Sequence, residues 1–130
     1  MEYNVLIVDD SMIIRSMVAK TLQISGLELN NVYYAANGRE GLDQLHAHAV
    51  DIVFADINMP VMDGVQMVTA MAENGLLERI PVVIISTERN RQRIDHLKAL
   101  GVTAYLKKPF MPEDFKATVE HLLPDGDTKS

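Results

Sequence analysis

Short, uninterrupted apolar runs alternate along the chain with longer stretches in which apolar residues return every three or four positions. The first run, Val5-Leu6-Ile7-Val8, offers no polar face, which suits a parallel strand covered on both sides. Comparable runs at Val32–Ala36, Ile52–Ala55, Val82–Ile85 and Val102–Leu106 predict four more strands. After the first, Ile14, Met17, Val18, Thr21 and Leu22 fall on one helical face, and Gly26 sits where a left-handed C-cap is wanted. Leu42 and Leu45 mark a second helix, and Val65, Val68 and Met71 a third that stops at Gly75. Ile94, Leu97 and Leu100, then Gly101, mark the fourth; the fifth carries Pro112 near its start and Phe115, Val119, Leu122 and Leu123 on one face. Met12, Met17, Met67 and Met71 fit helical spacing and are read as core.

Strand followed by helix, five times over, implies an α/β (βα)5 open parallel sheet, because parallel neighbours need crossover helices. The 130 residues contain 48% apolar and 23% charged side chains, an ordinary globular balance for one domain. The body is expected to span residues 1–123, with Pro124 to Ser130 a loose polar tail. With no cysteine, a disulfide scaffold and thiolate chemistry are excluded. A net charge of −6 is a poor footing for nucleic acid or an anionic membrane. No basic leader or membrane-length apolar run is visible, so a soluble cytoplasmic domain without membrane insertion is expected.

In such sheets ligands bind beyond the carboxyl ends of the strands. There the first strand delivers Asp9-Asp10, the third Asp56, the fourth Ser86-Thr87 and the fifth Lys107-Lys108-Pro109. Singly, each has a plain structural reading: Asp10 and Ser86 or Thr87 as helix caps, Lys108 as a solvated strand end. Together they do not, because three carboxylates at one rim repel unless a cation sits among them. Oxygen ligands without Cys or His point to Mg²⁺, with Mn²⁺ as the alternative. A metal beside a carboxylate, a lysine and a hydroxyl suits phosphoryl transfer to the carboxylate. No GxxxxGK[ST] or GxGxxG is present, which favours a phosphorylated protein or a small acyl phosphate as donor over a nucleotide.

The segments LIVDDS at 6–11, DIVFADINMPVMDG at 51–64, PVVIIST at 81–87 and YLKKPF at 105–110 span most of the chain. In this order and spacing they resemble the response-regulator receiver domains of two-component signalling, most of all the stand-alone chemotaxis type. The resemblance implies a flavodoxin-like, doubly wound five-stranded sheet of order 2-1-3-4-5. It implies Asp56 as phosphoryl acceptor, Asp9 and Asp10 as the acidic pair holding Mg²⁺, and Asn58 as donor of a backbone carbonyl to the metal. Ser86 takes the place of the hydroxyl that binds the phosphoryl group, and Tyr105 that of the aromatic that changes rotamer. Lys108, immediately before proline, is selected over Lys107, and a cis Lys-Pro peptide is implied. Asn58 and Glu88 are the polar positions that would tune dephosphorylation.

The implied function is a switch that takes a phosphoryl group from a histidine kinase. It then alters affinity for a downstream protein on the face of the fourth predicted helix, fifth strand and fifth predicted helix. Its only catalysis would be its own phosphorylation and dephosphorylation, so it is not read as an enzyme. Two rivals stay open: the regulatory piece of a larger effector protein, and an Asp-based phosphatase of the haloacid-dehalogenase type. Against the second, the position two after Asp56 is Asn58, not a carboxylate. The basic run Arg89, Arg91 and Arg93 reads as a solvated helix start or as a docking patch for an acidic partner. His46, His48, His96 and His121 lack metal-like spacing and read as surface residues.

Overall fold

The computed structural model describes residues 2–87, 89–102 and 104–123; Glu88 and the expected tail at 124–130 lie outside the described residues. Five strands run β1 (Tyr3–Val8), β2 (Leu29–Ala35), β3 (Ile52–Ala55), β4 (Val82–Ser86) and β5 (Ala104–Lys107). All neighbours are parallel, in the order β2-β1-β3-β4-β5 that the resemblance implied. Between them stand α1 (Met12–Ile24), α2 (Gly38–Ala47), α3 (Gly64–Glu73), α4 (Leu76–Arg79), α5 (Arg91–Leu100) and α6 (Pro112–Leu122).

Alternation along each strand divides the interior into two cores. Leu6, Val8, Val53, Ala55, Val82 and Ile84 pack against Leu45 of α2, Met67, Val68 and Met71 of α3, and Leu97 of α5. Val5, Ile7, Ile52, Phe54, Val83 and Ile85 face the opposite way, onto Val18, Ala19 and Leu22 of α1 and Phe115 and Val119 of α6. Each central strand is therefore apolar on both faces, which is why its sequence shows no period of two. This layering leaves the carboxyl edge of the sheet as the place where polar groups can gather.

Two expectations are corrected and one is extended. Met12 and Met17 are 70% and 51% exposed, not core; the buried face of α1 is Val18, Ala19 and Leu22. Periodicity identified the helix, but apolar residues surround it on more than one side, so spacing alone could not choose the inward face. Gly75 does stop α3, at φ +82, yet it also opens the single turn α4, too short to show a period. Finally, β2 begins three residues earlier than Val32, and β5 begins after Val102.

Candidate functional site

Strand register assembles the site. Val8 pairs with Ala55, so Asp9 and Asp56 leave adjacent strands side by side. Ser86 pairs with Lys107, which puts Lys108 one residue beyond the end of β4. The Asp9 amide donates to the Ala35 carbonyl at 3.0 Å and the Asp56 amide to the Val8 carbonyl at 3.0 Å, extending the ladder through both acids.

Each side chain is then aimed by local bonds. Asp9 is buried; its Oδ1 accepts from the Ser11 amide at 2.9 Å, and its carbonyl accepts from Arg15 Nη1 at 2.6 Å. Asp56 Oδ1 accepts from the Ile57 amide at 2.7 Å. Lys108 Nζ lies 3.6 Å from Asp9 Oδ2 and 3.7 Å from Asp56 Oδ2, between the two carboxylates. Its amide donates to the Ser86 carbonyl at 3.2 Å, and the Lys108–Pro109 peptide is cis. Lys107 is exposed. Burial pushes the Asp9 carboxyl above its ordinary range; the Ser11 amide and Lys108 oppose that rise, while Asp56 and Asp10 add to it.

The capping readings fall away. Ser11, not Asp10, accepts from the Ile14 amide at the start of α1, and Asn90, not Ser86 or Thr87, caps α5. Asp10 is left exposed beside Asp9 and Asp56, and one oxygen of each of the three lies within 4.8 Å of the other two. An all-oxygen set that is buried at Asp9 and open at Asp10 suits a hard divalent ion that keeps part of its water. The structure thus fits Mg²⁺.

Gly64, first residue of α3, presses this end of the helix onto the site. A Cβ there would lie 2.3 Å from the Asp56 carbonyl oxygen, and its amide donates to the Ile57 carbonyl at 2.7 Å. Ser86 is buried at the end of β4. Tyr105 is half-buried one strand away, in register with Ile84, and lines a groove of about 350 Å³ with Arg89, Arg91, Ile94, Lys98 and Lys107. Asn58 stands exposed on the β3–α3 loop, where its Oδ1 accepts from Arg93 Nη1 at 3.0 Å. Neither the Arg15 nor the Arg93 contact was visible in the sequence, because each joins a helix to a loop through a long side chain and leaves no spacing signature.

The model of the response regulator receiver domain matches residues 5–120. This chain belongs to the response regulator receiver family. Among its relatives, the receiver is 32% identical to chemotaxis protein CheY1 of Helicobacter pylori over 95% of this chain and 99% of that one. In structure it resembles Vibrio cholerae chemotaxis protein CheY4, with a TM-score of 0.82 and 38% identity over 95% of this chain and all of that one. It also resembles the CheX-CheY-BeF3-Mg complex of Borrelia burgdorferi, with a TM-score of 0.83 and 28% identity over 93% and 89% of the two chains. The receiver is therefore a CheY-like signalling domain of the two-component, chemotaxis-related kind. Receivers bind Mg²⁺ through acidic residues, and Asp9, Asp10 and Asp56 form an acidic cluster at the carboxyl edge of this sheet. Among the described residues, no helix is long and apolar enough to cross a membrane.

Proposed function

We propose that the receiver accepts a phosphoryl group from a histidine kinase onto Asp56 and thereby changes its affinity for a protein partner. The observation that carries this reading is the placement of Lys108 between Asp9 and Asp56, with Asp10 completing a three-carboxylate rim. An Asp56 oxygen attacks phosphorus, the new P–O bond forms as the P–N bond to the donor histidine breaks, and the imidazole takes up a proton. The transferred group gathers negative charge that Lys108 and the Ser86 hydroxyl can receive through charge-assisted and ordinary hydrogen bonds. Mg²⁺ held by Asp9, Asp10, Asp56 and the backbone carbonyl of Asn58 would neutralise part of that charge.

Hydrolysis restores the carboxylate and needs a water in line with phosphorus. Asn58 and Glu88 are the polar residues assigned to orient it. Once phosphorylated, the site gains about −1.5 to −2 charges and three acceptor oxygens. Movement of Ser86 toward them opens space that Tyr105 can fill, so phosphate favours one of two arrangements of the face formed by α5, β5 and α6. The groove beside Tyr105 carries Arg89, Arg91, Lys98 and Lys107 in a protein of net charge −6, which supports an acidic partner segment there.

Phosphotransfer profiling against a panel of histidine kinases tests the reading. Label passing to wild type but not to Asp56→Asn is expected; transfer to both would place the acceptor elsewhere.

A further inference from the structure

Arg93 stands in the first turn of α5, where its amide donates to the Asn90 side chain. Arg89 and Arg91 line the groove beside Tyr105, but Arg93 turns the other way. Its Nη1 donates to Asn58 Oδ1 at 3.0 Å, and Nη2 lies 3.8 Å from Asp63 Oδ2. Asp63 caps α3 in a reciprocal pair with Gln66, so its carboxylate is itself held in place. One guanidinium therefore spans the loop that leads from Asp56 to α3, and it grips that loop at Asn58, two residues past Asp56.

We infer that Arg93 is a positioning residue that restrains hydrolysis of the aspartyl phosphate by holding the acceptor oxygen of Asn58. This inference rests on Asp56 being the phosphoryl acceptor. In hydrolysis the water oxygen bonds to phosphorus, the P–O bond to Asp56 breaks, and the carboxylate and inorganic phosphate leave with a proton released from the water. A neighbouring acceptor assists by receiving that proton in a hydrogen bond. The Asn58 carboxamide has a single acceptor atom, Oδ1, and its NH₂ only donates. One arm of the Arg93 fork engages that atom with a charged donor while the other reaches Asp63, which anchors the carboxamide and lowers the basicity of the oxygen toward water.

Releasing the guanidinium restores the basicity and freedom of that oxygen toward the water and shortens the life of the phosphate. Because Arg93 belongs to α5, a helix that also borders the basic groove, motion of α5 and the hydrolysis rate are joined through one side chain.

The test is to load wild type, Arg93→Ala, Asn58→Ala and the double variant with an acyl phosphate and Mg²⁺, remove the donor, and follow loss of aspartyl phosphate. Arg93→Lys, which keeps the charge but not the fork, is carried alongside, and circular dichroism checks that each variant is folded. Arg93→Ala should lose phosphate about fivefold faster, the change made by lowering a barrier by about 1 kcal/mol. Arg93→Lys should fall between it and wild type. In the Asn58→Ala background, removing Arg93 should change nothing, since the paired effect vanishes when one partner is gone. Unchanged or slower decay in Arg93→Ala, or the same acceleration without Asn58, overturns the inference alone. A wild type that never carries phosphate on Asp56 overturns the acceptor assignment and this inference with it.

Discussion

Replacing Gly64 with alanine should damage the fold at the point where the backbone of Asp56, the proposed acceptor, is supported. The added Cβ would lie 2.3 Å from the Asp56 carbonyl oxygen, 2.9 Å from Ile57 Cα and 3.2 Å from the Asp56 carbonyl carbon, all of them backbone atoms that cannot rotate away. Ordinary C···O contacts begin near about 3.3 Å, so the start of α3 must retreat by about 1 Å. That retreat stretches the 2.7 Å bond from the Gly64 amide to the Ile57 carbonyl beyond hydrogen-bonding range. Overpacking of this kind costs about 1–3 kcal/mol, and the lost bond about 1 kcal/mol more. For a chain of this length a loss of about 3 kcal/mol lowers Tm by roughly 10 °C.

Gly75→Ala is the reference: nothing lies within 4 Å of its Cβ position, and its φ of +82 alone opposes the change, at about 1–2 kcal/mol. Urea unfolding followed by circular dichroism compares the two. Mg²⁺-dependent phosphorylation should also fall in Gly64→Ala, because the crowded carbonyl belongs to Asp56 itself. Stability within about 0.5 kcal/mol of wild type, or a loss no larger than that of Gly75→Ala, would refute the steric reasoning.

Asp9 gives a pH dependence with a definite sign. Its folded-state carboxyl is raised above the ordinary value, chiefly by burial, so the folded chain holds a proton that the unfolded chain releases. This contribution to metal-free stability is present at low pH and lost as pH rises past the ordinary carboxylate range. Asp9→Asn should flatten that decline in urea midpoints measured across acid to neutral pH; an unchanged slope would count against it. Val61 is 81% exposed and holds φ +68, a region costly for a β-branched residue. Val61→Asn should therefore raise stability by about 0.5–1 kcal/mol in the same assay, and a loss would show that the backbone there is not strained. Lys108→Ala should still take phosphate at Asp56 but fail to tighten partner binding, measured by pull-down of phosphorylated protein; equal tightening would show that the signal bypasses this lysine.

Most of the site was legible because it is built from strand ends. A strand buried on both faces announces itself as a continuous apolar run, and the first polar residue after it must emerge at the carboxyl edge; Asp9 and Asp56 are placed by that rule alone. Ser86 follows from the same logic on β4; on β5 that logic offers both Lys107 and Lys108, and the family resemblance made the choice. Features made by side chains reaching between helices and loops leave no such trace. Arg93 looked like one of three arginines in a basic run, and only the packing of α5 beside the β3–α3 loop separates it from Arg89 and Arg91. Met12 and Met17 fit a helical period as well as Val18 and Leu22 do, and the choice of inward face was made by the sheet, not by α1.

The most direct test of the account is to locate the phosphate chemically. Incubation with an acyl phosphate, with and without Mg²⁺, followed by peptide mapping of the modified aspartate, should find phosphate on Asp56, only when the metal is present, and none in Asp56→Asn. Phosphate on Asp9 or Asp10 of the wild type, or equal labelling without the metal, would contradict it.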